Sequence, residues 1–527
     1  MKKTVLFLSA IAFVISSCTK YQEDNDLAND SVSFSLSVNR GEDTKALAES
    51  GANLSKTFAE NDKIAVVYVV GGETKVAESA ALEPADIESG SKQATFKITL
   101  EGTPDANSAV KLIYPSSMAN ADGSVNYAAL ATQDGTLDYI AANLDLGLYE
   151  GTLSGTTLPA NATLTNPLVI CKFTVKNFGV TDITGSITSF NVNEGTNTYS
   201  ISRTAAAGPI WTAIQPVSGA DVSFSASNGI TTYEGSVKGK TLAAGKLYPI
   251  NLTMAAPFSV SSTQKVIFSH GNLQATYNSV SWSWAFAEHQ YSFIDNTSGN
   301  TAISTSVKET SEPYAKLSTT NGTVDLFGWS TAATYYGIAS SVNENSLYSG
   351  EFVDWGNLTI GNTAPNTWRT LSGGDNGEWK YLLETRSAST VGGTENARYL
   401  KARVNSDATA VKGLIIFPDV FTWNTATMGT APTTCNTAND EFSHSLTTAQ
   451  WDALEAAGAV FLPGAGCRSG NYVTDRQNTE YAAGYYWANG QFNDESAKCL
   501  LFTKGSVNAN GKYAKSYGRS VRLVRDL

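Results

Sequence analysis

Asn166 to Val175 reads NPLVICKFTV. After the turn-favouring Asn166-Pro167, Leu168, Ile170, Lys172 and Thr174 alternate with Val169, Cys171, Phe173 and Val175, the two-residue period of a strand. The same signal recurs on either side. Towards the N-terminus, Val32, Phe34, Leu36 and Val38 alternate with serines and Asn39, and Ala94, Phe96, Ile98 and Leu100 alternate again. Lys63 to Val70 (KIAVVYVV) is a more continuous apolar run, as for a core strand, and Val110 to Tyr114 precedes Pro115. Towards the C-terminus, strands are expected at Tyr199 to Arg203, Val222 to Ala226 and Leu247 to Met254. Turn residues separate them and no helical period is sustained, so this region reads as two β-sandwiches in series.

Beyond these strands the composition changes. Of ten Trp only Trp211 lies before residue 257, all three His (His270, His289, His444) lie after it, and Arg40 and Arg203 are the only Arg before it. A boundary near Pro257 therefore separates an aromatic-poor β-protein from a Trp-rich, irregular one. The length of 527 residues suggests about three domains of roughly 150 residues. The net charge of −12 and the lack of a basic stripe exclude nucleic acid as an expected partner.

The N-terminus carries a targeting signal. Lys2 and Lys3 precede an apolar stretch from Thr4 to Ile15, then Ser16, Ser17 and Cys18. So short an apolar run is a signal peptide and not a membrane span. Ile15-Ser16-Ser17-Cys18 resembles a bacterial lipobox, which implies a diacylated Cys18 as the mature first residue. Residues 19–30 are polar and acidic, suited to a flexible tether. They also resemble the signal that sends lipoproteins to the outer face of the outer membrane. A lipid-anchored, surface-exposed protein of a Gram-negative bacterium is expected.

Thr57 to Tyr68 (TFAENDKIAVVY), Ile113-Tyr114-Pro115, NPLVICKFTV and Leu242 to Leu252 (LAAGKLYPINL) together resemble the fimbrillin superfamily of lipoprotein-derived, type V pili. The resemblance covers residues ~30 to 256. It implies two β-sandwich domains, a removable first strand, and a trypsin-like cut after a basic residue beside that strand. Arg40 and Lys45 directly follow Val32 to Val38, and Arg40 is favoured because family members are usually cut at Arg. Assembly with other pilus subunits by donor-strand exchange would follow.

In the Trp-rich part, Glu378 to Arg386 (EWKYLLETR) reads as a short amphipathic helix. Thr447 and Gln450 form a capping box for a second helix, Thr448 to Ala457, closed by Gly458. WRTLSGGDNGEWKYLLETR (368–386) and the closing GRSVRLV (518–524) are similar to the C-type-lectin-like fold, in the branch shared with formylglycine-generating enzymes. Fold does not determine function there. The paired cysteines of those enzymes are not matched: Cys467 and Cys499 stand 32 apart in unrelated contexts. A disulfide between Cys467 and Cys499 is the expectation for two such residues in a secreted module. Cys171 reads as a buried free thiol, and Cys435 has no obvious mate.

No catalytic residues, metal site or cofactor is expected. The three His are scattered, and Asn493-Asp494-Glu495 reads as a solvated loop rather than a calcium site. Trp329, Trp368, Trp379 and Trp451 are assigned to the core and not to sugar stacking. The chain is thus expected to be mainly β: a signal peptide (1–18), a tether (19–30), fimbrillin-like sandwiches (31–142 and 143–256) and an α+β C-type-lectin-like module (257–527). The expected function is that of a surface adhesin, as the tip subunit of a fimbrium, whose C-terminal module binds a glycan or protein ligand. The outer membrane would hold it through its lipid before processing. The tip assignment follows from its last strand: Val521, Leu523 and Val524 look committed to the module, and the three residues after Val524 are too few to donate. A monomeric surface glycan-binding lipoprotein, or an enzyme of the formylglycine-generating type, are the alternatives.

Overall fold

The computed structural model describes residues 31–39, 48–50, 53–55, 57–90, 92–178, 181–278, 280–294, 322–331, 333, 336–338, 348, 350–406, 409–469, 472–474, 477 and 482–527. The fold is mainly β.

In the first sandwich, β1 (Ser31–Asn39) pairs antiparallel with β2 (Gln93–Glu101) over all nine residues, from Ser31 opposite Glu101 to Asn39 opposite Gln93. β3 (Asn161–Thr163) pairs parallel with the last three residues of β1. The facing sheet has the order Glu73–Glu78, Ala65–Val70, Ala109–Tyr114, Gly147–Thr152. The alternation read from the sequence sends Phe96, Ile98 and Leu100 from one sheet against Val66, Tyr68, Val110 and Leu112 from the other. Phe58 closes this core edge-on to Phe96 and Tyr114, with centroids 5.5 and 5.4 Å away.

The second sandwich is built on NPLVICKFTV. Val169–Asn177 pairs antiparallel with Ile210–Ile214 on one side and parallel with Leu247–Met254 on the other. Its Phe173 packs across the core on Phe190 and Phe224 of the opposite sheet, at 5.0 and 5.7 Å. That sheet runs Thr232–Leu242, Val217–Ser227, Ser189–Glu194, Asn197–Ser202, Thr132–Gln133. The chain passes between the two sandwiches more than once. Met118, Leu130 and Ile140 lie in the second core, Ile140 through helix α1 (Leu137–Asn143). Gly147–Thr152 and β3, later in the chain, pair within the first sandwich.

Residues 257–527 hold several small sheets around short helices. α2 (Thr448–Ala456) begins on the expected capping box: Gln450 N–H donates to Thr447 Oγ1 at 3.2 Å, and Thr447 N–H to Gln450 Oε1 at 2.9 Å. Gly458 follows at φ +91°, and a Cβ there would sit 2.2 Å from Ala256 Cβ, so glycine lets the module dock on the second sandwich. Tyr233 hydroxyl donates to Ala456 O at 2.7 Å and Asn177 Nδ2 to Glu455 O at 3.2 Å across the same seam. The stretch 378–386 differs from the expected amphipathic α-helix. It is α-helical over Glu378–Lys380 and becomes a π-helix over Tyr381–Thr385. This widening ends at Arg386, whose fully buried guanidinium donates to Leu382 O at 2.7 Å, to Asp419 Oδ1 at 2.8 Å, to Arg398 O at 3.4 Å and to Phe417 O. Asp419 also accepts from Ser259 N–H and Oγ. Replacing Arg386→Ala would strand Asp419 and three carbonyls. The expected loss is about 3–5 kcal/mol in urea unfolding of the C-terminal module.

The last strand, β4 (Leu523–Asp526), lies inside a four-stranded sheet. It pairs with Lys265–Phe268 on one side and with Arg369–Thr370 on the other. Val521, Leu523 and Val524 are fully buried.

Candidate functional site

The strand β1 and the groove that it fills form the site. Its pleat divides it cleanly. Ser31, Ser33, Ser35 and Asn39 are exposed, whereas Leu36 and Val38 have no exposed surface and Phe34 packs against the core edge. The groove beneath is apolar. Ala94, Phe96, Ile98 and Leu100 of β2 form one wall, and Ala162 and Leu164 at β3 close the far end. Polar contacts between β1 and β2 side chains are few: Gln93 Nε2 donates to Ser37 Oγ at 2.8 Å, and the hydroxyls of Ser33 and Thr99 stand 3.4 Å apart. At the far end Leu164 N–H donates to Asn39 O at 2.8 Å and Ser37 N–H to Ala160 O at 3.3 Å.

This arrangement suits a replaceable strand. Backbone pairing is independent of sequence, and alternate side chains drop into pockets, so another strand of like pattern can take the same place. Without β1, the edge of β2 and its apolar row would be open to another chain. Asn39 ends β1, so the basic residue expected to be cut, Arg40, comes directly after it. Arg40 and Lys45 lie outside the described residues, as does Cys18. β3 was not anticipated from the sequence. Its only signal is the pair Ala162 and Leu164 two residues apart, too short to register as a strand.

No protein-family model matches the chain, and no curated relative does. Among solved structures it is similar to pilus and adhesion proteins. One is a fimbrial assembly protein from Parabacteroides distasonis, 14% identical, with the match covering 48% of this chain and 96% of that one at a TM-score of 0.26. Another is a Bacteroides uniformis protein named for cell adhesion, 16% identical over 42% of this chain and 94% of that one, with a TM-score of 0.26. The major pilin of Streptococcus pyogenes matches at 9% identity over 43% of this chain and 99% of that one, with a TM-score of 0.12.

The remaining sequence candidates lie elsewhere. Cys171, Cys435, Cys467 and Cys499 are all buried. Cys467 and Cys499 belong to different sheets: Cys467 to the hairpin Cys467–Ser469 with Tyr472–Thr474, and Cys499 to a central strand between Trp487 and Gly511. Burial pushes the Cys171 and Cys499 thiols up to about 12 and Cys435 up to about 11. Thiol titration in denaturant without reductant tests the Cys467–Cys499 disulfide: of the five cysteines, with Cys18 acylated, only Cys171 and Cys435 should react if it forms. Recovery of four reactive thiols would mean that Cys467 and Cys499 stay reduced.

Trp329, Trp379 and Trp451 are buried at 1% exposure or less and Trp368 is 9% exposed, and Trp355 and Trp487 join them in the core. In the stretch 368–386, Arg369 forms paired bonds to Glu378 (2.8 and 2.6 Å) and reaches Asp526 of β4 at 2.8 Å. That ties the helix to the closing strand, so both quoted motifs serve the packing of the module. Asn493 Oδ1 accepts from the backbone N–H groups of Glu495 and Ser496, closing a tight loop.

Proposed function

We propose that this chain is a cell-surface adhesin of a fimbrium, working by binding rather than catalysis. In this reading it reaches the outer membrane as a lipoprotein acylated on Cys18. It is then cut after Arg40, or after Lys45, and loses β1. A donor strand from the next subunit fills the vacated groove. In this reading β4 stays within the C-terminal module and is not donated, so the subunit sits at the pilus tip with residues 257–527 outermost, facing a glycan or protein ligand.

The observation that carries this reading is the contrast between β1 and β4. β1 runs beside one full-length neighbour, and its first six residues have no partner on the other edge among the described residues. β4 is held from both sides and its apolar residues are fully buried. One strand can therefore be exchanged at the cost of one full ladder and a three-residue one at an edge, and the other only by dismantling the sheet that closes the C-terminal module. Immunogold labelling of intact pili against residues 257–527 should place gold at fibre ends alone. Gold spaced regularly along the shaft would overturn the tip assignment.

A further inference from the structure

Phe178 directly follows the strand Val169–Asn177 of the second sandwich, yet its ring lies in another core. It is buried in the hydrophobic cluster of the C-terminal module, with Ala255, Phe258, Val266 and Phe268. The ring stands 6.0 Å from that of His270, just beyond the strand Lys265–Phe268. The backbone at this point is strained. Phe178 has φ +51°, a left-handed conformation that a bulky residue keeps only where its surroundings impose it. Burying a Phe side chain stabilises by about 1.5–3 kcal/mol, which offsets the ~1–2 kcal/mol of the left-handed backbone.

The module also leaves part of its hydrogen bonding to the sandwich. Carbonyls in the last turn of a helix lack partners within it. In α2, Ala456 O accepts from the Tyr233 hydroxyl at 2.7 Å, and Glu455 O accepts from Asn177 Nδ2 at 3.2 Å. Both donors belong to the second sandwich, and Asn177 is the neighbour of Phe178. In the other direction Arg525 of β4 donates through Nη2 to Thr253 O at 3.0 Å, and Lys265 Nζ meets Glu234 at 3.2 Å.

The covalent connection runs through the same seam. Linkers between independent domains are exposed and cross few contacts. Here Met254 to Phe258 are buried without a break. Leu247–Met254 and Val169–Asn177 lie parallel, from Ile170 opposite Leu247 to Asn177 opposite Met254. Phe178 N–H then donates to Met254 O at 2.9 Å. Two neighbouring strands thus reach the module together, one by its continuing chain and the other by the Phe178 ring.

We propose that the second sandwich and residues 257–527 are locked into one cooperative unit, with Phe178 as the bolt. The C-terminal module then keeps a fixed orientation on the sandwich and does not swing on a linker. A pull on the module is shared between the chain and the seam. The lock is independent of strand exchange at β1 and of the place of the subunit in a pilus.

The test is native-state hydrogen exchange on the whole chain in rising, sub-denaturing urea. In the parent, the amides of Val169–Asn177 and of Leu523–Asp526 should exchange through one opening, with the same protection and the same urea dependence. Phe178→Gly suits the left-handed backbone, so what it removes is the ring. It should speed exchange in Lys265–Phe268 and Leu523–Asp526 about a hundredfold or more, although the substitution lies in the sandwich. β1 and β2, which share a separate core, should keep their protection. Should that variant fail to fold, Tyr233→Phe decides. It keeps every ring, and it should speed exchange about tenfold in Val169–Asn177 and Leu523–Asp526 alike. Two openings with different urea dependence in the parent would overturn the lock. Exchange in the module unmoved by Phe178→Gly, or a Tyr233→Phe effect confined to the sandwich, would do the same.

Discussion

An Arg40→Ala, Lys45→Ala double variant is expected to reach the cell surface intact and to be almost absent from pili. The reason is competition for one groove. While β1 remains covalently attached, it competes with any incoming strand at an effective concentration of about a millimolar, the usual range for a short tether. Its fit is already good: nine paired residues against β2, with Leu36 and Val38 fully buried. A free donor strand on another subunit cannot match that local concentration. Cutting after Asn39-Arg40 removes the advantage, because β1 can then diffuse away once it leaves. The double variant should therefore lower incorporation into sheared pilus fractions by on the order of tenfold or more. Normal incorporation of the uncut protein would defeat the processing mechanism while leaving the fold untouched.

The second large effect concerns the hold of β1 itself. Leu36→Ala with Val38→Ala should weaken the first sandwich by about 4–6 kcal/mol, since a buried Leu→Ala change alone costs about 2–5. Both side chains have zero exposure and insert among Phe96, Ile98 and Ala162. Hydrogen exchange should report this directly. The amides of β1 and β2 should lose protection together, while those of Val169–Asn177 in the second core keep theirs, because that strand belongs to a separate hydrophobic cluster. In the protease-treated protein the same variant should release its first strand faster and take up a donor strand sooner. Equal protection of β1 in variant and parent would mean that these two side chains do not anchor it.

Much of this was legible in the amino-acid order. Strands of the two sandwiches show a two-residue period because one face meets a core and the other meets water. Val32 to Val38, Ala94 to Leu100 and Val169 to Val175 all fall within described strands. The capping box at Thr447 and Gln450 was readable because its two hydrogen bonds span only three residues. The core role of Trp329, Trp379 and Trp451 followed from their place in or beside regular elements.

What the sequence could not settle depended on partners distant along the chain. β3 is three residues long, and only its docking beside Ser37–Asn39 makes it a strand. The π-helical turn at Tyr381–Thr385 is shaped around Arg386 and Asp419, 33 positions apart. By itself, then, the sequence determined the mainly β character of residues 31–256, their division from the Trp-rich remainder, and the strand that ends at Asn39. Those are properties of local periodicity and composition, written in neighbouring residues. The tertiary structure alone decided that β1 lies beside one full-length neighbour while β4 is enclosed by two. Which edges of a strand remain open is a fact about non-local pairing, and no local pattern encodes it.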